Sequence, residues 1–230
     1  MFTAKATRLF SILLLLGTVF LNSCKKGDDV TVVDPAYFRI INVSPSLGTY
    51  NVYINDQILT TAALPFGGVI PYKTFEPAAY SLKFTTASSI TSLLTKQVTL
   101  KSKELSSFYL IEKPGQLDGL IVADGVQAAV STQKTSIRFI NLSPDAPALD
   151  LTIVGGTSVT TNKGYKSFST YAEFDAKKYS FEIKDSTTGA VKATLTDLDL
   201  VAGRLYTIIA RGLVNPGTNE QPFTAQSIIN

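Results

Sequence analysis

The chain has 230 residues, 45% of them apolar, and its 21 Lys and Arg against 18 Asp and Glu leave a formal net charge of +3. That apolar share supports a packed core and excludes wholesale disorder, while so small a positive excess excludes nucleic-acid binding by phosphate neutralisation. There is no histidine and a single cysteine, Cys24, which excludes histidine-based triads, imidazole acid–base chemistry, intramolecular disulfides and zinc sites built from Cys and His.

The first predicted element is a leader. Lys5 and Arg8 precede the apolar run Leu9–Leu21. That run is well short of the roughly 20 residues that span a bilayer as a helix, and it fits the h-region of a secretory signal peptide. It ends at Leu21-Asn22-Ser23-Cys24, which resembles a bacterial lipobox, with a Leu three before the Cys and a small residue just before it. Residues 1–23 are therefore expected to be a lipoprotein signal peptide, with Cys24 the lipid-attachment residue and mature N-terminus; two or more acyl chains would make the anchor stable. Residues 24–34 are polar, charged and glycine-containing, and read as a flexible tether. Lys25 is not the Asp that retains lipoproteins in the inner membrane, and Lys25 followed by Asp28 and Asp29 resembles a surface-export signal. The expected location is the outer membrane, lipid-anchored and at the cell surface, with a periplasm-facing orientation as the alternative.

After the tether the chain repeats itself. Residues 37–48, YFRIINVSPSLG, recur as residues 136–147, SIRFINLSPDAP. In the same register Tyr72 meets Tyr171, Phe75 meets Phe174 and Tyr80-Ser81 meets Tyr179-Ser180. A period of this length far exceeds the 20–50 residues of solenoid repeats and matches a small domain. Two domains are expected, over residues 35–127 and 135–230. Within each, short runs rich in Val, Ile, Thr, Tyr and Phe alternate with turn signals such as Gly67-Gly68, Pro114-Gly115 and Asp118-Gly119. In the first copy the predicted strands are 38–43, 50–54, 70–75, 80–85, 94–100, 108–111 and 120–123, and the second copy repeats them, ending on 223–229. About seven short strands in each copy predict an all-β fold: two tandem, Ig-like, antiparallel β-sandwich domains behind the signal peptide.

The candidate site residues lie at the repeated motif. Asn42, Ser44 and Pro45 correspond to Asn141, Ser143 and Pro144, with Asp145 and Asp150 following in the second copy. A strand ends here, Pro fixes φ, and an Asn or Ser side chain can satisfy loop backbone groups. The same residues offer a ligand loop in which Ser143, Asp145 and Asp150 converge. Carboxylate pairs such as Asp145/Asp150 or Asp197/Asp199 are the residue types a glycan-processing enzyme uses, although Asp197 and Asp199 alternate with leucines as on a solvated strand face. Ser131 and Lys134 fit a Ser-x-x-Lys spacing without partner motifs. Tyr53 and Tyr165 are predicted to be exposed and able to stack on sugars.

The stretch RFINLSPDAPALDLTI (138–153), the Tyr/Phe strand pair and LDLVAGRLYTIIARG (198–212) together resemble the bacterial domain-of-unknown-function family 4397. The second copy carries the pattern; the first lacks Asp-Ala-Pro after its Ser-Pro and Ala-Gly before its Tyr, and fits again at LPFGGVIPY (64–72). The resemblance implies short β-sandwich modules on exported proteins, and no activity. The expectation is a non-catalytic, lipid-anchored envelope protein with no catalytic residues, metal or cofactor. It would serve binding, adhesion or a structural surface role toward an unidentified glycan or protein. An accessory subunit of an outer-membrane uptake or adhesion assembly and a carboxylate-based glycan-processing enzyme are the alternatives.

Overall fold

The computed structural model describes residues 33–126 and 132–230. The predicted signal peptide, Cys24 and most of the tether lie outside the described residues. No helix among the described residues is long and apolar enough to cross a membrane.

The described chain is all-β. The first sandwich is built from β1 (Ala36–Asn42), β2 (Tyr50–Ile54), β3 (Gln57–Ile58), β4 (Val69–Phe75), β5 (Ala79–Thr86), β6 (Ser92–Thr99), β7 (Glu104–Ile111) and β8 (Asp118–Val126). The second contains β9 (Lys134–Asn141), β10 (Leu149–Ile153), β11 (Ser158–Lys163), β12 (Ala172–Asp175), β13 (Lys178–Asp185), β14 (Val191–Asp199), β15 (Leu205–Arg211) and β16 (Thr224–Ile229). Each folds into two four-stranded sheets. The first has orders β4-β1-β7-β8 and β3-β2-β5-β6; the second has β12-β9-β15-β16 and β11-β10-β13-β14. Position by position the two topologies are the same, so the sequence repeat is a repeat of architecture.

Two features depart from the sequence expectation. Pairing is antiparallel except at β1–β7 and β9–β15, which run parallel at the middle of their sheets. Neither β3 nor its counterpart β11 was predicted: β11 (SVTTNK) has a single apolar residue to show a period, and β3 has only two residues. The hairpin of β3 with β2 turns through Asn55 and Asp56, both at positive φ, the geometry that a two-residue hairpin turn requires.

Alternation places every second residue of β2 inside: Tyr50, Val52 and Ile54 are buried and Asn51 and Tyr53 are not. They join Phe38, Ile40, Leu82, Phe84 and Phe108 in the first core. Phe84 and Phe108 stack at 5.5 Å between centroids, and a Cβ on Gly119 would collide with the Phe108 ring. The second core gathers Ile137, Phe139, Leu149, Leu151, Phe181, Ile183 and Ile208.

A third core lies between the sandwiches. Ile41, Val43, Tyr109, Ile111 and Val122 from the first pack with Ile140, Leu142, Ile209 and Ile228 from the second. The central strands of these sheets, β1, β7, β9 and β15, are therefore buried on both faces. This explains why they carry adjacent apolar residues, Ile40-Ile41, Phe108 to Ile111, Phe139-Ile140 and Ile208-Ile209, whereas β2 alternates. Fully burying an aliphatic side chain contributes about 1.5–3 kcal/mol. An apolar interface of this extent is unlike the polar surfaces across which domains usually move, and the two sandwiches form one compact unit from Val33 to Asn230.

Candidate functional site

The repeated motif is a buried loop anchor in both copies. Asn42 and Asn141 are 0% exposed. Each amide oxygen accepts the backbone N–H two residues on, from Ser44 at 3.0 Å and Ser143 at 3.1 Å. Each amide nitrogen donates to a carbonyl across a neighbouring loop, Leu64 in the first copy and Lys163 and Pro147 in the second. Ser44 is also fully buried and donates to the Glu112 carbonyl at 2.6 Å.

Both copies of the loop hold one segment, residues 213–223, between β15 and β16. The Asp145 carboxylate accepts the N–H groups of Val214 and Asn215 at 2.8 and 2.9 Å. From the first sandwich, the Pro45 carbonyl accepts Gln221 N–H and Leu47 N–H donates to the Asn219 carbonyl, both at 3.3 Å. Lys113 pairs with Glu220 at 2.6 Å and holds its carboxyl below the usual range. Ser143 reaches Asp145 at 3.4 Å, but Asp150 is committed elsewhere, to Asn162 N–H at 2.8 Å and to the Ser186 hydroxyl. No group of three or more His, Cys, Asp or Glu side chains among the described residues is placed to hold a metal. Tyr165, predicted to be exposed, packs against the third core and donates to Glu112 at 2.7 Å; the close approach of the two sandwiches covers it.

Beside the third core lies a polar cluster that the sequence reading did not single out. Arg39 and Arg138 occupy equivalent places on β1 and β9 and each crosses to the other sandwich. Arg39 donates to Ser107 at 2.6 Å in its own sheet and to the Ile229 carbonyl at 2.7 Å and Asn230 in the other. Arg138 donates to Thr207 at 2.9 Å in its own sheet and to the Ala123 carbonyl at 2.7 Å and Asp124 in the other. Each guanidinium lies over a tyrosine ring, Tyr72 at 4.6 Å and Tyr171 at 5.1 Å. The arrangement is reciprocal, as in a twofold dimer interface. Burial is the largest influence on Arg138 and works against its charge, but Asp124, Tyr109 and Tyr171 together outweigh it and raise its pKa. Burial pushes the Tyr72, Tyr109 and Tyr171 hydroxyls up. The signal was present in the sequence: the arginines and Tyr72/Tyr171 are identities of the repeat.

The open surface lies at one end of the first sandwich. Two adjoining clefts of about 490 and 430 Å³ share Ala87 and Ser88. Asn51, Tyr53 and Ser89 line one, and Leu47, Leu93 and Pro114 line the other. Around them Ile90 is 87% exposed, Leu47 62% and Leu93 42%. Tyr53 faces this region, but the Lys83 ammonium sits 4.8 Å from its ring centroid and is fixed there by Asp56 at 2.5 Å.

Comparison with known structures gives only distant likeness. The C-terminal domain of AlgF from P. aeruginosa is 19% identical, covering 43% of this chain and 99% of that one, with a TM-score of 0.32. The Bacillus anthracis TIE protein is 11% identical over 78% of this chain and 34% of its own, at 0.26. The CBM26-family domain CBMbc of Eubacterium rectale Amy13K, solved in complex with maltoheptaose, is 11% identical over 84% and 96%, at 0.25. Scores of this size carry no argument about function. No curated protein matches the sequence. The family described as Domain of unknown function (DUF4397) matches residues 36–152, the whole first sandwich together with β9 and most of β10. The match thus falls mainly on the copy that departs from the pattern, and leaves out the LDLVAGRLYTIIARG stretch of the other. Covering just over half of the sequence, it establishes that the chain belongs to the DUF4397 family.

Proposed function

We propose that the chain is a non-catalytic, lipid-anchored protein of the bacterial cell envelope, held in the outer membrane through Cys24 and presenting the cleft end of its first sandwich to a protein partner outside the cell. The observation that carries this reading is the cluster of exposed aliphatic side chains, Leu47, Ile90 and Leu93, around the two clefts. Contiguous exposed apolar surface marks interaction sites. Aliphatic groups favour a protein surface over a sugar face, for which an open aromatic ring is the usual platform, and the Tyr53 ring already carries Lys83. Position supports the same reading. The tether would enter at Val33, and β1 rises about 3.3 Å per residue, so its seven residues carry the chain away from the entry before the loop of Leu47 is reached. The clefts therefore lie at the end of the sandwich remote from Val33.

A photo-crosslinking residue at Ile90 on intact cells tests the site, with protease shaving of wild type and Cys24→Ala cells testing the address. The expected result is a discrete crosslinked protein species that disappears in a Leu47→Asp/Leu93→Asp background, with cleavage from outside. A crosslinking pattern unchanged by those substitutions would remove the cleft from the function. Unchanged processing and anchoring in Cys24→Ala would remove the lipid.

A further inference from the structure

The repeat supplies an internal comparison for the cleft end of the first sandwich. At the corresponding end of the second sandwich three carboxylates tie the loops together. Asp145 holds the Val214 and Asn215 N–H groups against the Ser-Pro loop. Asp150 holds the Ser186 hydroxyl. Asp185, at the end of β13, accepts the N–H groups of Thr187 and Thr188 at 2.9 and 3.1 Å. The spacing that matches Asn42 to Asn141 puts Ser46, Asn51 and Thr86 at these places in the first sandwich, and strand pairing agrees, with Tyr50 opposite Thr86 as Leu149 is opposite Asp185. None of the three carries a carboxylate. Val214 follows closely on Gly212 as Pro114 follows on Glu112, and Gly212 and Glu112 are both at positive φ. A proline has no N–H to give, so both halves of the Asp145 clamp are missing from the first sandwich.

What replaces the ties is apolar. Leu47, Ile90 and Leu93 stand where the second sandwich has Ala146, Gly189 and Lys192. Leu93 falls on a feature that both copies keep, a bulge in β6 and β14. Phe84 and Thr85 pair with Leu94 and Ser92, and Ile183 and Lys184 pair with Ala193 and Val191, so Leu93 and Lys192 are the extra residues. A bulge re-aims a side chain. In the second sandwich the Lys192 ammonium lies 4.0 Å from Asp185. In the first, Leu93 forms a wall of the cleft of about 430 Å³, together with Leu47 and Pro114. This cleft separates the Ser-Pro loop from Pro114, the gap that the Asp145 clamp spans in the second sandwich.

We infer that this cleft, and not its neighbour on Asn51 and Tyr53, is the recognition mouth, and that it takes an aliphatic side chain carried on an uncharged loop of the protein partner; the inference rests on the function proposed above. No charged residue lines the cleft, so an ionic group entering it would lose water without gaining a counter-charge. The second sandwich shows what covers the equivalent place, the Val214-Asn215 turn of a protein loop. In the first sandwich the matching turn is not drawn in, and a partner's loop takes its place.

The chain has no tryptophan, which gives a test that separates the two clefts. Of the two, Thr49 lines only the mouth and Asn51 only its neighbour. Thr49→Trp and Asn51→Trp are made in the full chain carrying the photo-crosslinking residue at Ile90, and unfolding midpoints near that of the wild type show that both fold. Thr49→Trp is expected to emit at shorter wavelength than Asn51→Trp and to cut the crosslinked species about tenfold or more, the scale of losing one anchoring side chain. Asn51→Trp is expected to leave the species near its wild-type level. Leu47→Ala/Leu93→Lys, which installs the second sandwich's own residues, reaches the same loss without filling the mouth. A species that survives Thr49→Trp, or that is lost equally in Asn51→Trp, overturns the inference and leaves the proposed function standing. No species from the wild type removes both. A species of twice the chain's mass overturns the separate partner and makes a second copy the occupant. Equal emission from the two variants contradicts an open apolar mouth.

Discussion

Asp124 accepts from Tyr72 and Ser107 within its own sandwich and from Arg138 across the junction. Removing it strands two buried guanidiniums. Breaking one side of a buried ion pair typically costs about 3–5 kcal/mol, and Asp124→Ala is expected to fall in that range, measured by urea unfolding of the full chain. A loss below about 1 kcal/mol, the ordinary size for a surface ion pair, would mean that water reaches the cluster. The sequence exposed part of this residue-scale design. Asn42 and Asn141, Arg39 and Arg138, and Tyr72 and Tyr171 all stand out as identities of the repeat. Asp124 and Asn230 do not, because they differ in type and because the loop before β16 is longer than the one before β8, which breaks the register. Asp145 and Asp150 looked alike in the sequence; only the folded loops show that one clamps residues 214 and 215 while the other holds residues 162 and 186.

At the scale of elements, β1, β7, β9 and β15 were legible as strands, but not which partner covers their second face. Period-two alternation identifies the inward face of β2 and β10; a run without alternation states only that both faces are covered. The tyrosines on these inner sheets give the junction a pH signature. Tyr72 on β4, Tyr109 on β7 and Tyr171 ahead of β12 all have raised pKa values, burial being the largest cause. A raised folded-state pKa means that stability is fully present below the unfolded value of about 10 and is lost as pH rises above it. Thermal unfolding is expected to hold nearly constant up to about pH 9 and then fall steeply, with more than one tyrosine ionising only as the protein unfolds. Tyrosine absorbance recorded with far-ultraviolet circular dichroism checks this. Ionisation of all ten tyrosines ahead of unfolding would show that the three hydroxyls are not shielded.

For the whole molecule, the sequence implied two domains in a row, and the structure places them back to back. Their inner sheets share a third core, each arginine reaches into the other sandwich, and both Ser-Pro loops hold residues 213–223. Phe66 of the first sandwich carries Arg211 of the second at 4.1 Å from its ring centroid. Beads on a flexible string would unfold independently, whereas these contacts couple the halves. The measurement that tests this most directly is scanning calorimetry of the full chain. The account predicts a single transition, with calorimetric and van't Hoff enthalpies equal, that divides or broadens when Asp124→Ala is introduced. Two separate transitions in the wild type, each with the enthalpy of about half the chain, would contradict it.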